Sequence, residues 1–271
     1  ELNLYLEPLG LQFGPDPASS NRAAMGGIVS NNSTGSHSIL YGMTADHVRE
    51  MNVILNDGSR AHFGPVENGQ LEDLRNTSGR EAQIYDRIAS LTRDERSREI
   101  IRSGTPDHWR RCGGYNLDRF IGGGVSFRHP QDNRFNLAKL VCGAEGTLAV
   151  IEDVTLNLVP RPEKTALAVV HFDRLYDALA AVPTILETDP SAVELLDNLG
   201  LTLCREVPQY ARLLQTFVEG RPNCVLITEF YGQSERELET KIRHLEKHLR
   251  AENTRASTVV SVLAQERQDQ V

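Results

Sequence analysis

The sequence lacks the features that assign a chain most simply. Its four cysteines, Cys112, Cys142, Cys204 and Cys224, are scattered over 271 residues without a CxxC pair. The spacing therefore offers neither a zinc knuckle nor a dithiol exchange site, and no clustered set for iron-sulfur ligation. No run approaches the roughly 18 apolar residues that a bilayer span needs, and the opening ELNLYLEPLG has neither the basic start nor the apolar stretch of a secretion signal. Positive charge is also scarce: 29 Lys and Arg stand against 37 Asp and Glu, a formal charge of −8. A phosphate-tracking surface normally shows the reverse balance, which argues against a nucleic-acid partner. These absences lead to the expectation of a chain with no transmembrane segment, at home in a reducing cytoplasm.

What is present is an ordinary globular composition, 39% apolar and 24% charged. Its length allows one large domain or two smaller ones. The composition changes at VPRPEKT, where two prolines flank a charged turn, so we expect a boundary that leaves a lobe over 1–162 and a second over 163–271.

In the first lobe, MNVILNDG reads as a strand ending in an Asp57-Gly58 turn, with the next strand starting near Arg60. From 68 to 103 the pattern becomes charge-rich, with Ile84, Ile88 and Leu91 at helical spacing, and predicts one or two amphipathic helices. Val150, Val154, Leu156 and Leu158 are expected in the core. The second lobe alternates strand and helix through ALAVVHF, SAVELLD, CVLITEFYG and STVVSVL, which predicts an α+β sheet covered by helices on one face.

Two segments carry the richest chemistry. In PDPASSNRAAMGGIVSNNSTG, Pro15 and Pro17 restrict the chain, while Gly26, Gly27 and Gly35 permit close backbone approach to a ligand. Asp16, Ser19, Asn31, Asn32 and Ser33 add short polar groups able to hydrogen-bond hydroxyls, carbonyls or phosphate. In CGAEGTLAVI, Gly143 and Gly146 flank Glu145 before a buried strand. By composition alone, each is also what a structured polar turn that binds nothing looks like.

PDPAS, MGGIVSNNSTG, YG, DHV and VILNDG, in that order, resemble the FAD-linked oxidase family with its vanillyl-alcohol-oxidase (PCMH) type of FAD-binding fold. FNLAKLVCGAEGTLAVIEDVTLNLVPRP is similar to the family's second signature, and RRCGGYNLDRFI resembles a feature of long bacterial FAD-linked dehydrogenases that also carry iron-sulfur domains. The resemblance implies the second FAD-binding subdomain, a mixed or antiparallel sheet with helices, followed by part of a ferredoxin-like α+β cap. It implies that Pro15, Asp16 and Ser19 lie against the flavin and ribityl region. Gly26 and Gly27 would admit FAD to the backbone, with Asn32, Ser33 and Gly35 nearby. Gly143, Glu145 and Gly146 would form a second wall, with Val150 and Ile151 beside the adenosine half. Ala24 and Met25 stand where many relatives have Thr-Ile, which removes a threonine hydroxyl.

The implied parent enzyme oxidises a small 2-hydroxy acid such as lactate, glycolate or 2-hydroxyglutarate, with FAD and a small-molecule substrate as partners and iron-sulfur clusters in flanking domains. The family's Arg-Gly-Gly-rich pyrophosphate turn and its Gly-Glu-His-Gly motif do not occur in this sequence, and no catalytic base is assigned. Gly122–Gly124 reads as a loop, and His244 and His248 as part of a solvated helix face. The chain alone is therefore expected to be an inactive fragment. The competing expectations are a non-catalytic interaction or scaffold domain derived from the same fold, and an FAD-linked transferase. Glu194 and Asp197 are expected to cap or flank an element.

Overall fold

The computed structural model describes residues 1–67, 69–108, 110–122, 134–264 and 268. Two members of the glycine triplet, Gly123 and Gly124, lie outside the described residues. The chain divides into two compact units, Glu1–Pro160 and Arg161–Val271.

In the first unit, α1 (Leu2–Leu6), β1 (Leu11–Gln12), α2 (Met25–Asn31), α3 (Ser38–Tyr41) and α4 (Thr44–His47) lead into the hairpin β2 (Val48–Ile54) and β3 (Arg60–Phe63). Then come α5 (Gln70–Arg75), α6 (Arg80–Arg93), α7 (Glu95–Gly104), α8 (Ala138–Val141), β4 (Val150–Leu156) and β5 (Val159–Pro160). The hairpin turns where the sequence predicts. Gly58 takes φ +82°, and Asp57 Oδ1 accepts from the Ser59 amide at 3.0 Å and the Ser59 hydroxyl at 2.6 Å. That leaves β2 antiparallel between β3 and β4. Val48, Met51 and Val53 point into a core with Phe63, Tyr85, Leu137 and Val141.

Two expectations need correction here. Val150 is 64% exposed and lies outside the core. Simple alternation puts it on the same face as Val154. However, Met51 pairs with Val154 while Val53 pairs with Ile151, so an irregularity at Glu152 shifts the phase and Ile151 turns inward instead. The charge-rich segment folds, among the described residues, as three helices rather than one or two. The break between α6 and α7 is Asp94, whose carboxylate accepts from the Ser97 amide at 2.8 Å and starts the next helix.

In the second unit, β6 (Lys164–Phe172), α9 (Leu175–Leu186), β7 (Ala192–Leu196), α10 (Asn198–Glu206), α11 (Pro208–Leu214), β8 (Cys224–Gly232), α12 (Glu235–Ala251) and β9 (Ala256–Val262) build one sheet. Its order is β7-β8-β6-β9 with every pairing antiparallel, which is the ferredoxin-like arrangement. The alternation along β6 explains its double burial. Ala166, Ala168, Val170 and Phe172 face α9 and α12, while Leu167 and Val169 face Leu201, Leu214 and Phe217. Helices thus cover both faces, not one. By its pattern alone, REVPQYARLLQTFV over 205–218 reads as a single helix. Instead α10 begins at Asn198, capped by Asp197 through a 2.9 Å bond from the Gly200 amide, and Pro208 starts α11. Asp197 is therefore a cap, as expected, and Glu194 is exposed on the edge strand β7. His248 bonds Glu187 at 2.7 Å and stacks on the exposed His244.

Leu238, Ile242, Leu245 and Leu249 form the buried stripe of α12. Leu245→Ala should lower the unfolding free energy of this unit by about 2–5 kcal/mol, whereas His244→Ala on the exposed side should change it by no more than about 0.5 kcal/mol. Urea unfolding followed by circular dichroism gives both values; equal effects would contradict the packing described.

Candidate functional site

The two glycine-rich segments meet. Helix α2 stops because Asn32 enters the left-handed region at φ +51°; its amide bonds Val29 O at 3.1 Å, and the Ser33 amide bonds Ile28 O at 3.0 Å. Against this end docks the 142–147 turn, whose path needs positive φ at Gly143 (+89°), Glu145 (+50°) and Gly146 (+76°). The Gly143 amide donates to Val29 O at 3.0 Å and the Glu145 amide to Ser30 O at 2.9 Å. A Cβ on Gly143 would sit 3.2 Å from Asn32 Cβ, so glycine is required by both conformation and space.

Asn32 is 1% exposed, and its side chain is engaged on every side. Oδ1 accepts from the Ala45 amide at 2.8 Å, and Nδ2 donates to Arg111 O at 3.4 Å and lies 3.8 Å from Met43 Sδ. The Cys142 thiol lies 3.8 Å from Oδ1, and the Cys112 thiol 3.4 Å from the Asn32 carbonyl. Asn32 therefore joins protein segments and presents no free side-chain group. Ser33 accepts from Asn31 Nδ2 at 2.8 Å.

A third segment, RRCGGYNLDRF, locks the two together. Asn116 Nδ2 donates to Cys142 O at 2.8 Å and Lys139 O at 3.2 Å; Arg111 pairs with Asp118; Arg119 pairs with Asp46 at 2.7 Å, both side chains about nine-tenths buried or more. Lys139 Nζ bonds Ala45 O and Val48 O at 2.6 and 2.5 Å. In the sequence this segment carries a family resemblance but no residue with an assigned role. Arg119 and Lys139 have their partners 73 to 94 residues away, so nothing local marks them as buried, whereas Arg111 and Asp118 pair within the segment itself.

The Pro15–Ser19 loop forms the other side. Pro15 and Pro17 are buried, and Ser19 is exposed. Gly35 packs so tightly on Asp16 that a Cβ there would lie 1.7 Å from the Asp16 carbonyl oxygen. Asp16 Oδ2 pairs with His37 Nδ1 at 2.7 Å, a partner the sequence did not reveal, whereas Asp16 Oδ1 is buried with no hydrogen-bond partner. Gly26 and Gly27 are exposed in the first turn of α2, with no atom within 4 Å of a Cβ built on either, and the same holds for Gly146. Ile151 packs into the core while Val150 stays outside it. An orphan acceptor and, elsewhere in the same unit, backbone without side-chain cover are features that suit a polyhydroxylated ligand bringing its own donors.

Residues 1–64 match the model of an FAD binding domain, and residues 161–270 that of the C-terminal domain of FAD linked oxidases. The chain belongs to the FAD-linked oxidase family. Within it, the chain is 33% identical over 248 residues to a D-2-hydroxyglutarate dehydrogenase of Pantoea ananatis, covering 90% of this chain and 23% of that protein. It is 29% identical over 257 residues to a D-2-hydroxyglutarate dehydrogenase of Pseudomonas putida, covering 94% and 25%. The chain thus spans about a quarter of the length of the curated relatives it matches. Among solved structures, an alkyldihydroxyacetonephosphate synthase superposes with a TM-score of 0.55 at 16% identity, covering 99% of this chain and 40% of that one, a likeness of fold. The mixed α+β architecture agrees with the PCMH-type fold that the motifs implied. Among the described residues no helix is long and apolar enough to cross a membrane, and no group of three or more His, Cys, Asp or Glu is placed to hold a metal.

Burial pushes the Cys142 thiol up to about 12, and burial raises the Tyr85 hydroxyl to about 12 as well. Both groups stay neutral in the fold at a pH that ionises them in the unfolded chain. Their contribution is fully present below the unfolded values of 9.0 and 10.0 and is lost as pH rises toward about 12. Unfolding midpoints measured from pH 8 to pH 11 should fall, and Cys142→Ala should flatten part of that fall. A midpoint that stays level over this range would contradict the burial of both groups. Separately, Gly35→Ala should destabilise the first unit by about 1–3 kcal/mol or more, because the Asp16 backbone has to move; thermal unfolding by circular dichroism measures it.

Proposed function

We propose that this chain supplies one wall of an FAD site and part of the substrate-side cap of a dehydrogenase that oxidises a small 2-hydroxy acid, of the class that includes 2-hydroxyglutarate, lactate and glycolate. The observation that carries the reading is the docking of the Gly143–Gly146 turn on the end of α2. It puts both glycine signatures into one unit, alongside the open backbone of Gly26 and Gly27. In this reading residues 1–162 form the FAD-binding lobe and 163–271 the partial cap.

The residues fit the group. Asp16, held by His37, offers Oδ1 to a cofactor hydroxyl or N–H. Pro15, Ser19, Ser33 and Gly35 shape the loop around it, and Gly26 and Gly27 leave the first turn of α2 bare. Gly143, Glu145 and Gly146 hold the second wall through backbone conformation, while Asn32 fixes the two walls from behind. Val150, exposed at the start of β4, is the apolar contact for the adenosine half, with Ile151 supporting it from the core side. FAD when bound supplies a hydride acceptor for the carbon that bears the substrate hydroxyl. The relatives' printed activities support the substrate class: D-2-hydroxyglutarate dehydrogenases, a D-lactate dehydrogenase of Anaerostipes hadrus and a glycolate oxidase subunit of Bacillus subtilis.

The chain expressed with its native flanking sequence should retain flavin and reduce a dye when given a 2-hydroxy acid. Failure to retain flavin in that context would sink this reading and favour a scaffold role instead. A sharper test uses Gly26→Ala. Alanine in a helical position with free space around it should stabilise the flavin-free chain by about 0.5–1 kcal/mol, yet weaken flavin retention by filling the approach to the cofactor. If flavin binds equally well to that variant, Gly26 does not face it.

A further inference from the structure

A separate cavity of about 370 Å³ opens in the first unit between α6, the β2–β3 hairpin and α8. Its volume lies in the range of small-molecule pockets. The floor is apolar, built from Phe63, Ile84, Ile88, Leu140, Val141 and Leu148. One face of α6 turns toward it, since Arg80, Gln83, Ile84, Arg87 and Ile88 recur at helical spacing and all line the opening. Its lining takes in Thr147, Leu148 and Ala149, which lie in sequence between Gly146 and Val150, but not those two residues themselves.

The rim is what gives the cavity a preference. Two guanidinium groups, those of Arg80 and Arg87, border it in a chain whose formal charge is −8. Arg80 is oriented by amide oxygens, its Nε donating to Asn56 Oδ1 and its Nη1 to Gln83 Oε1, each at 3.2 Å, and both partners line the same cavity. Arg87 is exposed, and among the described residues no carboxylate forms an ion pair with either arginine. The arginines of the neighbouring helix surface behave differently: Arg75 and Arg93 are both paired with carboxylates, to Glu72, with Asp86 as a further partner of Arg75. An apolar floor below two guanidinium groups, Arg80 oriented by amide oxygens with the Asp57 carboxylate near enough to feel its charge and Arg87 exposed, matches an apolar body that ends in an anionic group, because the body is desolvated on the floor while the anion meets the forked donors.

We propose that this cavity is a binding site for a small amphiphilic anion, a flat or branched apolar molecule bearing a carboxylate, sulfonate or phosphate. The probe is 8-anilinonaphthalene-1-sulfonate, titrated into the full chain and followed by its fluorescence, with uncharged N-phenyl-1-naphthylamine as the control. Saturable binding of the sulfonate is expected. Replacing both guanidinium groups, Arg80→Gln with Arg87→Gln, should weaken the sulfonate by about tenfold or more, the loss of charge-assisted hydrogen bonds, and leave the uncharged dye within about twofold. Ile88→Trp, which fills the cavity, should remove both dyes while the far-ultraviolet circular dichroism stays native. Three results would overturn the proposal: no saturable sulfonate binding; sulfonate affinity unchanged in all variants, which places the dye on other apolar surfaces; or equal losses for both dyes in the double arginine variant. The reading does not depend on flavin binding, and the titration needs none.

Discussion

The first unit depends on one junction, the seating of a left-handed turn on the C-terminal end of a seven-residue helix. Carbonyls at a helix end have no partner within the helix, and here Val29 and Ser30 receive the amides of Gly143 and Glu145. The exchange works only if Gly143 carries no side chain and Asn32 accepts positive φ. Those two requirements account for the glycine and asparagine of both signatures better than direct ligand contact does. The junction leaves the backbone of Gly26 and Gly27, in the first turn of α2, exposed.

Behind the junction lies a set of buried polar groups. Asp46 with Arg119, Lys139 with two carbonyls, and Asn116 across the 139–142 segment tie together stretches up to 94 residues apart in sequence, while Arg111 with Asp118 closes the 111–118 segment on itself. Buried ion pairs add little net stability, but losing one partner leaves an uncompensated charge. Such a network therefore acts to fix one arrangement of the walls and to penalise the others.

The local signals were the ones a linear reading recovered. The Asp57-Gly58 turn, the strands of the second unit, its α+β character and the cap at Asp197 all follow from a few neighbouring residues. The structure departs from the linear pattern where a second element intervenes or where a local cap or proline divides a run. The irregularity at Glu152 moved Val150 out of the core, Pro208 divided a helix, and α10 with α11 covered a sheet face that looked free. In β6 the unbroken apolar run from Ala166 to Val170 is itself the sign of burial on both faces, and it is visible in the sequence.

By itself, the sequence determined the two signatures, their order and hence the flavin-linked ancestry, because glycine, proline and asparagine restrict or free the backbone wherever they stand. Only the tertiary structure decided what those residues do for one another: that Asn32 joins segments, that His37 holds Asp16, and that one face of α6 leaves a cavity rimmed by Arg80 and Arg87. Those relations are contacts between distant residues. A contact energy has no trace in a linear pattern until folding brings both partners within a few ångströms.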